Sequence, residues 1–347
     1  MITISLCMIV KNEEAVLARC LDSIADLMDE IIIVDTGSTD KTKEIAARYT
    51  DKIYDFEWIQ DFSAARNYSF SKATMDYIYV ADADEVIDEE NRKKFRWLKE
   101  AMLPEIEMVQ MLYCNQLEFG TTYNFDEEYR PKLYKRLREF VWIEPIHETV
   151  RITPVIYDSD IRIEHRPLSS HAGRDFAAFQ RIFAKGERLS KKLHNMYARE
   201  LFIAGEDKDF LEAKPVFELT MTDTGREISE VKEAACVLAR AYRVEGNVAE
   251  FFKNAIKEVA ANSSAEICYE LGEYYLAKED YMEASIWYYN AAYETESILN
   301  VHCSGDWALS KLAVCYRFLG NEEKEAEFEV MAENWKQEFM VQTGDGK

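Results

Sequence analysis

The 347-residue chain has no stretch approaching the roughly 18 consecutive apolar residues of a membrane helix, so no transmembrane segment is expected. Its first apolar run is cut short by Lys11-Asn12-Glu13-Glu14. No basic segment precedes that run and no small-residue cleavage site follows it, which argues against a signal peptide. CxxC pairs and metal-finger spacings are missing. The seven cysteines, an odd number, are scattered and read as reduced thiols, so the expected location is cytoplasmic. Positive charge is scarce: 42 Lys and Arg face 65 Asp and Glu, for a net charge of −23. Such a surface repels phosphate backbones and anionic lipid, and no nucleic-acid partner is expected. Neither GxGxxG nor GxxxxGK[ST] occurs, which disfavours dinucleotide oxidoreductases and P-loop NTPases.

What is present is globular: 48% hydrophobic and 31% charged residues, in a chain long enough for two domains. The first third alternates strand and helix patterns. Ile2 to Val10 and Glu30 to Asp35 are continuous apolar runs, as for strands buried on both faces. Lys52 to Phe56 and Tyr77 to Ala81 read as further strands. Helices are expected over Glu13 to Leu27, Lys41 to Tyr49 and Phe62 to Ala73. This alternation predicts a largely parallel sheet with crossover helices. From Met108 to His165 the pattern changes to short strands (MVQMLY, KLYKR, VRITPVIY, IRIEH), expected to form an antiparallel extension or edge.

Beyond Gly173 the pattern is helical and repeats. Leu238-Ala239 with Tyr242 recurs as Leu271-Gly272 with Tyr275, 33 positions on, and again around Leu312 and Tyr316 with extra residues near Asn300 to Asp306. A degenerate unit is expected at Tyr197 to Leu219. Period and residue types resemble tetratricopeptide repeats, in which each helical hairpin buries its face on its neighbours. The alternative is an unrelated helical bundle. The expected organisation is an α/β domain over residues 1–172, an all-α repeat domain over 173–340 and a flexible tail over 341–347. A homodimer through the repeats is a further expectation.

Chemistry concentrates where the strands stop. Asp82-Ala83-Asp84-Glu85 follows the fourth strand. In open parallel sheets ligands bind outside the carboxyl ends of strands. Two carboxylates there repel unless a cation neutralises them, and Mn²⁺ or Mg²⁺ bridging to a diphosphate fits. The plain alternative is an acidic turn capping the next helix. Asp35 ends the second strand, placed to accept from a nucleobase or a ribose hydroxyl. Gly37, before Ser38, permits a tight turn with close ligand approach. Its alternative is a helix-capping loop.

The segments CMIVKNEE, IIIVDTGSTDKT, DFSAARN and YVADADE, in this order and spacing, closely resemble the inverting family-2 glycosyltransferases of GT-A fold. The resemblance covers residues 2 to about 165. Helical repeats behind such a domain are similar to a bacterial subgroup that glycosylates peptides or proteins, among them the S-glycosyltransferases of bacteriocins. The resemblance implies a nucleotide-sugar donor, usually a UDP-sugar. It places Glu13 and Asp35, with Gly37 and Ser38, at the ribose and base, and Arg66 near the diphosphate or donor sugar. It gives Asp82, Ala83 and Asp84 to the donor sugar and the metal, with Asp84 the direct ligand, and makes His165 a third metal ligand. Without the resemblance Arg66 is a surface helix residue and His165 a structural histidine, as His194 and His302 are expected to be. His171 is a weaker metal candidate.

Inverting transfer needs a base for the acceptor proton, and a carboxylate suits it. The segment Phe140 to Glu148 supplies candidates: Glu148 first, with Glu144 and His147 as alternatives. His147 and Glu148 point to opposite sides if the segment is extended. Trp142 is a candidate platform for a sugar face. Arg130 and Lys132 either contact the leaving diphosphate or form a solvated patch. The expected activity is metal-dependent, inverting hexosyl transfer from a UDP-sugar, with a peptide or protein acceptor. The alternatives are an enzyme of polysaccharide or glycolipid synthesis and a non-catalytic nucleotide-sugar-binding scaffold.

Overall fold

The computed structural model describes residues 1–114, 128–166 and 172–342. The chain divides near residue 170 into two compact units. His171 and residues 343–347 of the expected tail lie outside the described residues.

The N-terminal unit is built on an eight-stranded sheet. Strands β1 (Ile4–Val10), β2 (Glu30–Asp35), β3 (Ile53–Asp55) and β4 (Tyr77–Val80) are parallel, in the order β3-β2-β1-β4. The remaining strands are β5 (Glu85–Val86), β6 (Met108–Cys114), β7 (Glu128–Lys135) and β10 (Ile156–His165), while β8 (Trp142–Ile143) and β9 (Thr149–Val150) form a separate hairpin. The sheet continues from β4 through β7, β6 and β10 to β5.

The unbroken apolar run of β1 has a simple cause. Ile4, Leu6, Met8 and Val10 face one side and pack on Leu17, Leu21 and Ile24 of α1 (Leu17–Ile24); Cys7 faces the other, in a cluster with Ile32, Val34 and Ile78. Side chains alternate across a strand, so a strand covered on both faces must be apolar at every position. Helices α2 (Thr42–Ala46), α3 (Phe62–Phe70) and α4 (Glu89–Ala101) complete this unit.

Of extension and edge, the extension holds for Met108 to His165: β7 runs antiparallel inside the sheet, between β4 and β6, and β10 returns parallel to β6. One expectation is corrected: the segment VRITPVIY is not one strand. It splits into β9 and the start of β10 around Pro154, which has no backbone N–H to give to a ladder.

The second unit is all helical: α5 (Ala172–Ala184), α6 (Lys191–Ala204), α7 (Asp207–Thr222), α8 (Ile228–Glu245), α9 (Val248–Asn262), α10 (Ala265–Leu276), α11 (Tyr281–Tyr289), α12 (Asp306–Phe318) and α13 (Glu322–Gln342). Helices α6 and α7, α8 and α9, α10 and α11, and α12 and α13 occupy the expected repeat units. The extra residues before α12 form a short 3-10 turn, Val301–Cys303. Leu238, Ala239, Leu271, Leu312 and Ala313 are buried at equivalent places. At Gly272 a Cβ would stand 2.6 Å from the Tyr288 ring, so the second copy of the repeat has no room for alanine there.

Candidate active site

The loops after β1 and β2 are laced together. Asn12, at φ 57°, donates its N–H to Ser38 Oγ at 2.9 Å, and its side-chain oxygen accepts from Thr39 N at 2.8 Å. Glu13 N donates to Thr42 Oγ1 at 2.7 Å. Glu13, Asp35, Gly37 and Ser38 are thereby brought together. Asp35 Oδ1 accepts from the N–H groups of Gly37 and Ser38, both at 2.9 Å, so the turn-capping role is real. Its other oxygen, Oδ2, is enclosed and makes no hydrogen bond. Gly37 sits at φ 102°, a conformation that glycine adopts without strain.

A second group forms where β4 ends. Helix α3 begins at Asp61, whose carboxylate caps Ala64 N at 3.0 Å. The helix is clipped to the β8–β9 hairpin. Asn67 exchanges two hydrogen bonds with the Trp142 backbone at 2.9 and 3.0 Å, and Phe62 N donates to Pro145 O at 2.9 Å. Arg66 therefore faces the hairpin loop. Its Nε and Nη2 both donate to Glu148 Oε1, at 3.0 and 2.6 Å, and Nη2 lies 3.7 Å from Asp82 Oδ1. Arg66 Nη1 is buried and makes no hydrogen bond.

The loop carrying the base candidates is not extended. Trp142 pairs with Val150 across the hairpin, and Glu144 (φ 75°) and His147 (φ 49°) take the left-handed conformation that turns the chain back. Glu148 is the member of the three that reaches Arg66. Trp142 is no open platform: it is 8% exposed, packed with Phe70, Tyr134 and Phe140, and the Arg66 guanidinium lies 5.1 Å from its ring centroid. It supports Arg66 from below.

The third part comes from the short strand β5. Its pairing with the end of β10 sets His165 opposite Glu85, and Arg166 N donates to Asp84 O at 2.9 Å. That register puts His165 Nε2 3.2 Å from Asp84 Oδ2. Two donor atoms so spaced suit neighbouring ligands of one oxygen- and nitrogen-binding ion. Asp82 turns instead toward Arg66. Among the described residues no group of three or more acidic, His or Cys side chains converges on one ion. Ala83 is buried between the two aspartates.

The electrostatics follow from these neighbours. Burial works against ionising Asp82, but Arg66, then Lys132 and Arg130, outweigh it and hold its pKa below the usual value. Burial likewise opposes the charge on Arg66, while Glu148 and Asp82 raise its pKa further. Glu85 is the contrast: burial pushes it up to about 7, against the pull of Lys132. Lys132 is 4% exposed and donates to Glu85 Oε1, so it is neither a diphosphate contact nor a solvated patch. Arg130 lies over the Tyr113 ring, 4.0 Å from its centroid, and pairs with Glu128. Sequence reasoning missed the Glu85–Lys132 and Arg66–Glu148 pairs; partners 47 and 82 positions apart leave no local signal.

Residues 5–148 match the family model described as glycosyl transferase family 2. Over 85 residues, 24% of its length, the chain is 51% identical to a TPR repeat-containing protein of Synechococcus elongatus. Over 94 residues, 26% of its length, it is 40% identical to the SPbeta prophage-derived glycosyltransferase SunS of Bacillus subtilis. The matches span about a fifth of those relatives, 21% and 22%. Among solved structures, glucosyl-3-phosphoglycerate synthase from Mycobacterium tuberculosis with Mg²⁺ and UDP superposes with TM-score 0.39 and 18% identity, over 55% of this chain and 81% of that one. No helix among the described residues is long and apolar enough to cross a membrane.

Proposed function

We infer, from the premise that residues 5–148 are a family-2 glycosyltransferase domain, that the protein transfers a hexose from a UDP-sugar to an acceptor with inversion. The observation that carries this is the cluster at the end of β4: one buried arginine holding both Glu148 and Asp82, beside the Asp84–His165 pair. Arg66 is a planar donor with an enclosed Nη1 that still lacks an acceptor, which suits a diphosphate oxygen. Asp35 and the laced loops around Gly37 form the wall for the nucleoside. Asp84 and His165 would hold a divalent cation, which when bound supplies positive charge against the departing diphosphate.

The reaction is a single displacement. The acceptor's nucleophilic atom bonds to the anomeric carbon as the bond from that carbon to the UDP oxygen breaks. Glu148 takes the acceptor's proton, and the pyrophosphate leaves with the bonding pair. Arg66 holds Glu148 until the donor's phosphates compete for the guanidinium, so donor binding also readies the base. The helical repeat unit favours a peptide or protein acceptor, since stacked hairpins present extended surfaces suited to extended chains.

The test is turnover of a panel of UDP-hexoses by the purified chain with Mn²⁺, followed as UDP release. We expect release from at least one donor, and its loss in Asp84→Ala with the thermal midpoint little changed. A folded protein that neither binds nor consumes any donor sinks the reading. Full activity in Asp84→Ala removes the cation from it.

A further inference from the structure

Strand β5 is two residues long, and its pairing with β10 consists of Glu85 opposite His165 and Val86 opposite Glu164. A pairing so short holds little by itself. Yet it follows directly on Asp84 and sets that side chain against His165. The anchor comes from elsewhere in the sheet. Lys132 lies on β7, which β6 and β10 separate from β5. Its ammonium nevertheless donates to Glu85 Oε1, with the two side chains 5% and 2% exposed. Glu85 Oε2 is enclosed and makes no hydrogen bond, so Lys132 is the group that holds this carboxylate. The same ammonium stands 5.1 Å from the centroid of the Tyr113 ring, and that ring lies 5.2 Å, centroid to centroid, from the His165 imidazole. Lys132 thus backs both halves of the Asp84–His165 pair, through Glu85 on one side and Tyr113 on the other.

A buried ion pair is a costly way to stabilise a fold. Desolvation takes back most of what the attraction gives, and apolar residues of similar volume often serve as well or better. What apolar contact does not supply is direction. A charged hydrogen bond weakens steeply off its axis, so it holds the backbone beneath it to one orientation.

We propose that Lys132 is a positioning residue which, through Glu85 and Tyr113, fixes Asp84 and His165 at the spacing a divalent cation needs. The placement stands on the contacts themselves; the cation rests on the transferase reading. Two consequences of losing Lys132 oppose each other. By charge alone, removing a positive group so near would tighten the binding of a cation. Losing the orientation would weaken it, roughly tenfold or more, as with other groups that orient metal ligands. The sign of the change decides between them.

The experiment uses the full chain labelled with ¹³C at its five histidines. The ring signal of His165 is identified by its loss in His165→Gln. In metal-free Lys132→Met that signal should move, while those of His194 and His302, in the helical unit, stay in place. Mn²⁺ affinity in the presence of UDP, read from the paramagnetic resonance of the free ion, should fall roughly tenfold. Lys132→Arg should keep part of both properties. Lys132→Met combined with Glu85→Leu removes both charges and leaves an apolar contact, which guards against a folding defect in the single variant. Its His165 signal should remain displaced and its Mn²⁺ affinity low. The proposal is overturned by an unmoved His165 signal in folded Lys132→Met, by tighter Mn²⁺ binding there, or by a combined variant with the parent's signal and affinity. A parent chain that binds no Mn²⁺ with UDP removes the cation from the transferase reading, and the His165 signal still decides the placement.

Discussion

Buried polar groups are met differently in the helical repeat and at the strand exits of the sheet. In the helical unit Glu266, 0% exposed, accepts from the backbone N–H groups of Ile298, Leu299 and Asn300 at 3.0, 2.7 and 2.8 Å. His194, also 0% exposed, has Glu233 and Thr220 on its two ring nitrogens, each at 3.1 Å. These groups answer backbone and side-chain needs of the repeat and have no capacity left for a ligand. In the N-terminal unit Asp35 Oδ2 and Arg66 Nη1 are enclosed without a hydrogen bond, and both lie near strand exits. An unmade hydrogen bond in a buried group costs roughly 1–3 kcal/mol, a cost that folding alone does not justify and a ligand can relieve. The helical unit has enclosed atoms without a hydrogen bond too, Arg226 Nε and Arg240 Nε, so what sets Asp35 and Arg66 apart is their place beside the strand exits and the Asp84–His165 pair.

The sharpest way to break that contrast is Arg66→Ala. It should lower kcat/KM for UDP-sugar hydrolysis by roughly 10²–10³, the usual cost of losing a preorganised cation aimed at developing charge. The thermal midpoint should fall as well, because Glu148, 12% exposed, loses the cation that pairs it, so turnover is compared on the folded fraction. A large fall in stability with little change in turnover would make the Arg66–Glu148 pair a structural clamp.

Glu148→Gln separates the base from its anchor. The amide still accepts from Arg66, so donor binding, read as a UDP-dependent thermal shift, should persist. Transfer should fall roughly 10²-fold, at the lower end for a lost general base. If Glu144 or His147 carries the proton instead, transfer survives the substitution.

Glu266→Ala tests the other unit. It removes the carboxylate that the buried N–H groups of Leu299 and Asn300 donate to and should cost about 3 kcal/mol, measured by urea unfolding. UDP release by the folded fraction should stay at the parent rate, since every residue proposed for the donor site belongs to the N-terminal unit. A loss of turnover in folded protein would show the units to be coupled.

The parallel strands and the repeat were legible because their signals are local: two-faced burial demands unbroken apolar runs in β1 and β2, and close hairpin packing demands small residues such as Ala239 and Gly272. Placement of Asp82, Asp84 and Asp35 at strand exits followed from the same reading. The pairings did not. Lys132 looked like part of a solvated basic patch because Arg130, Lys135 and Arg136 stand near it in sequence, yet β7 enters the sheet interior and carries it to Glu85. Trp142 looked like a platform because nothing local announced that Phe70, Tyr134 and Phe140 would enclose it. The left-handed turns at Glu144 and His147 lack glycine, so the hairpin loop had no sequence marker.

The smallest effect bears on whether the contrast belongs to units or to ends of the sheet. Glu30 begins the same strand that Asp35 ends. It is 6% exposed, and burial opposes its charge. Lys52 at 2.6 Å, Ser5, and the N–H and hydroxyl of Thr74, both at 2.9 Å, overcome that and bring its pKa from 4.5 down to about 2. A carboxylate depressed on folding stabilises above its unfolded pKa and loses that contribution as pH falls through the folded value. Glu30→Gln should therefore be about 2 kcal/mol less stable than the parent at pH 7, with the gap constant down to about pH 5, narrowing below 4.5 and closing near 2. Urea midpoints across that range read it directly, and UDP release at pH 7 should be unaffected. A gap independent of pH would mean that shape, not charge, is what Glu30 supplies. If the gap closes as stated, one strand holds both kinds of burial: a saturated carboxylate at its entry and an unsaturated one at its exit. The distinction then follows the direction of the parallel strands, toward the exits where the proposed nucleotide-sugar site lies.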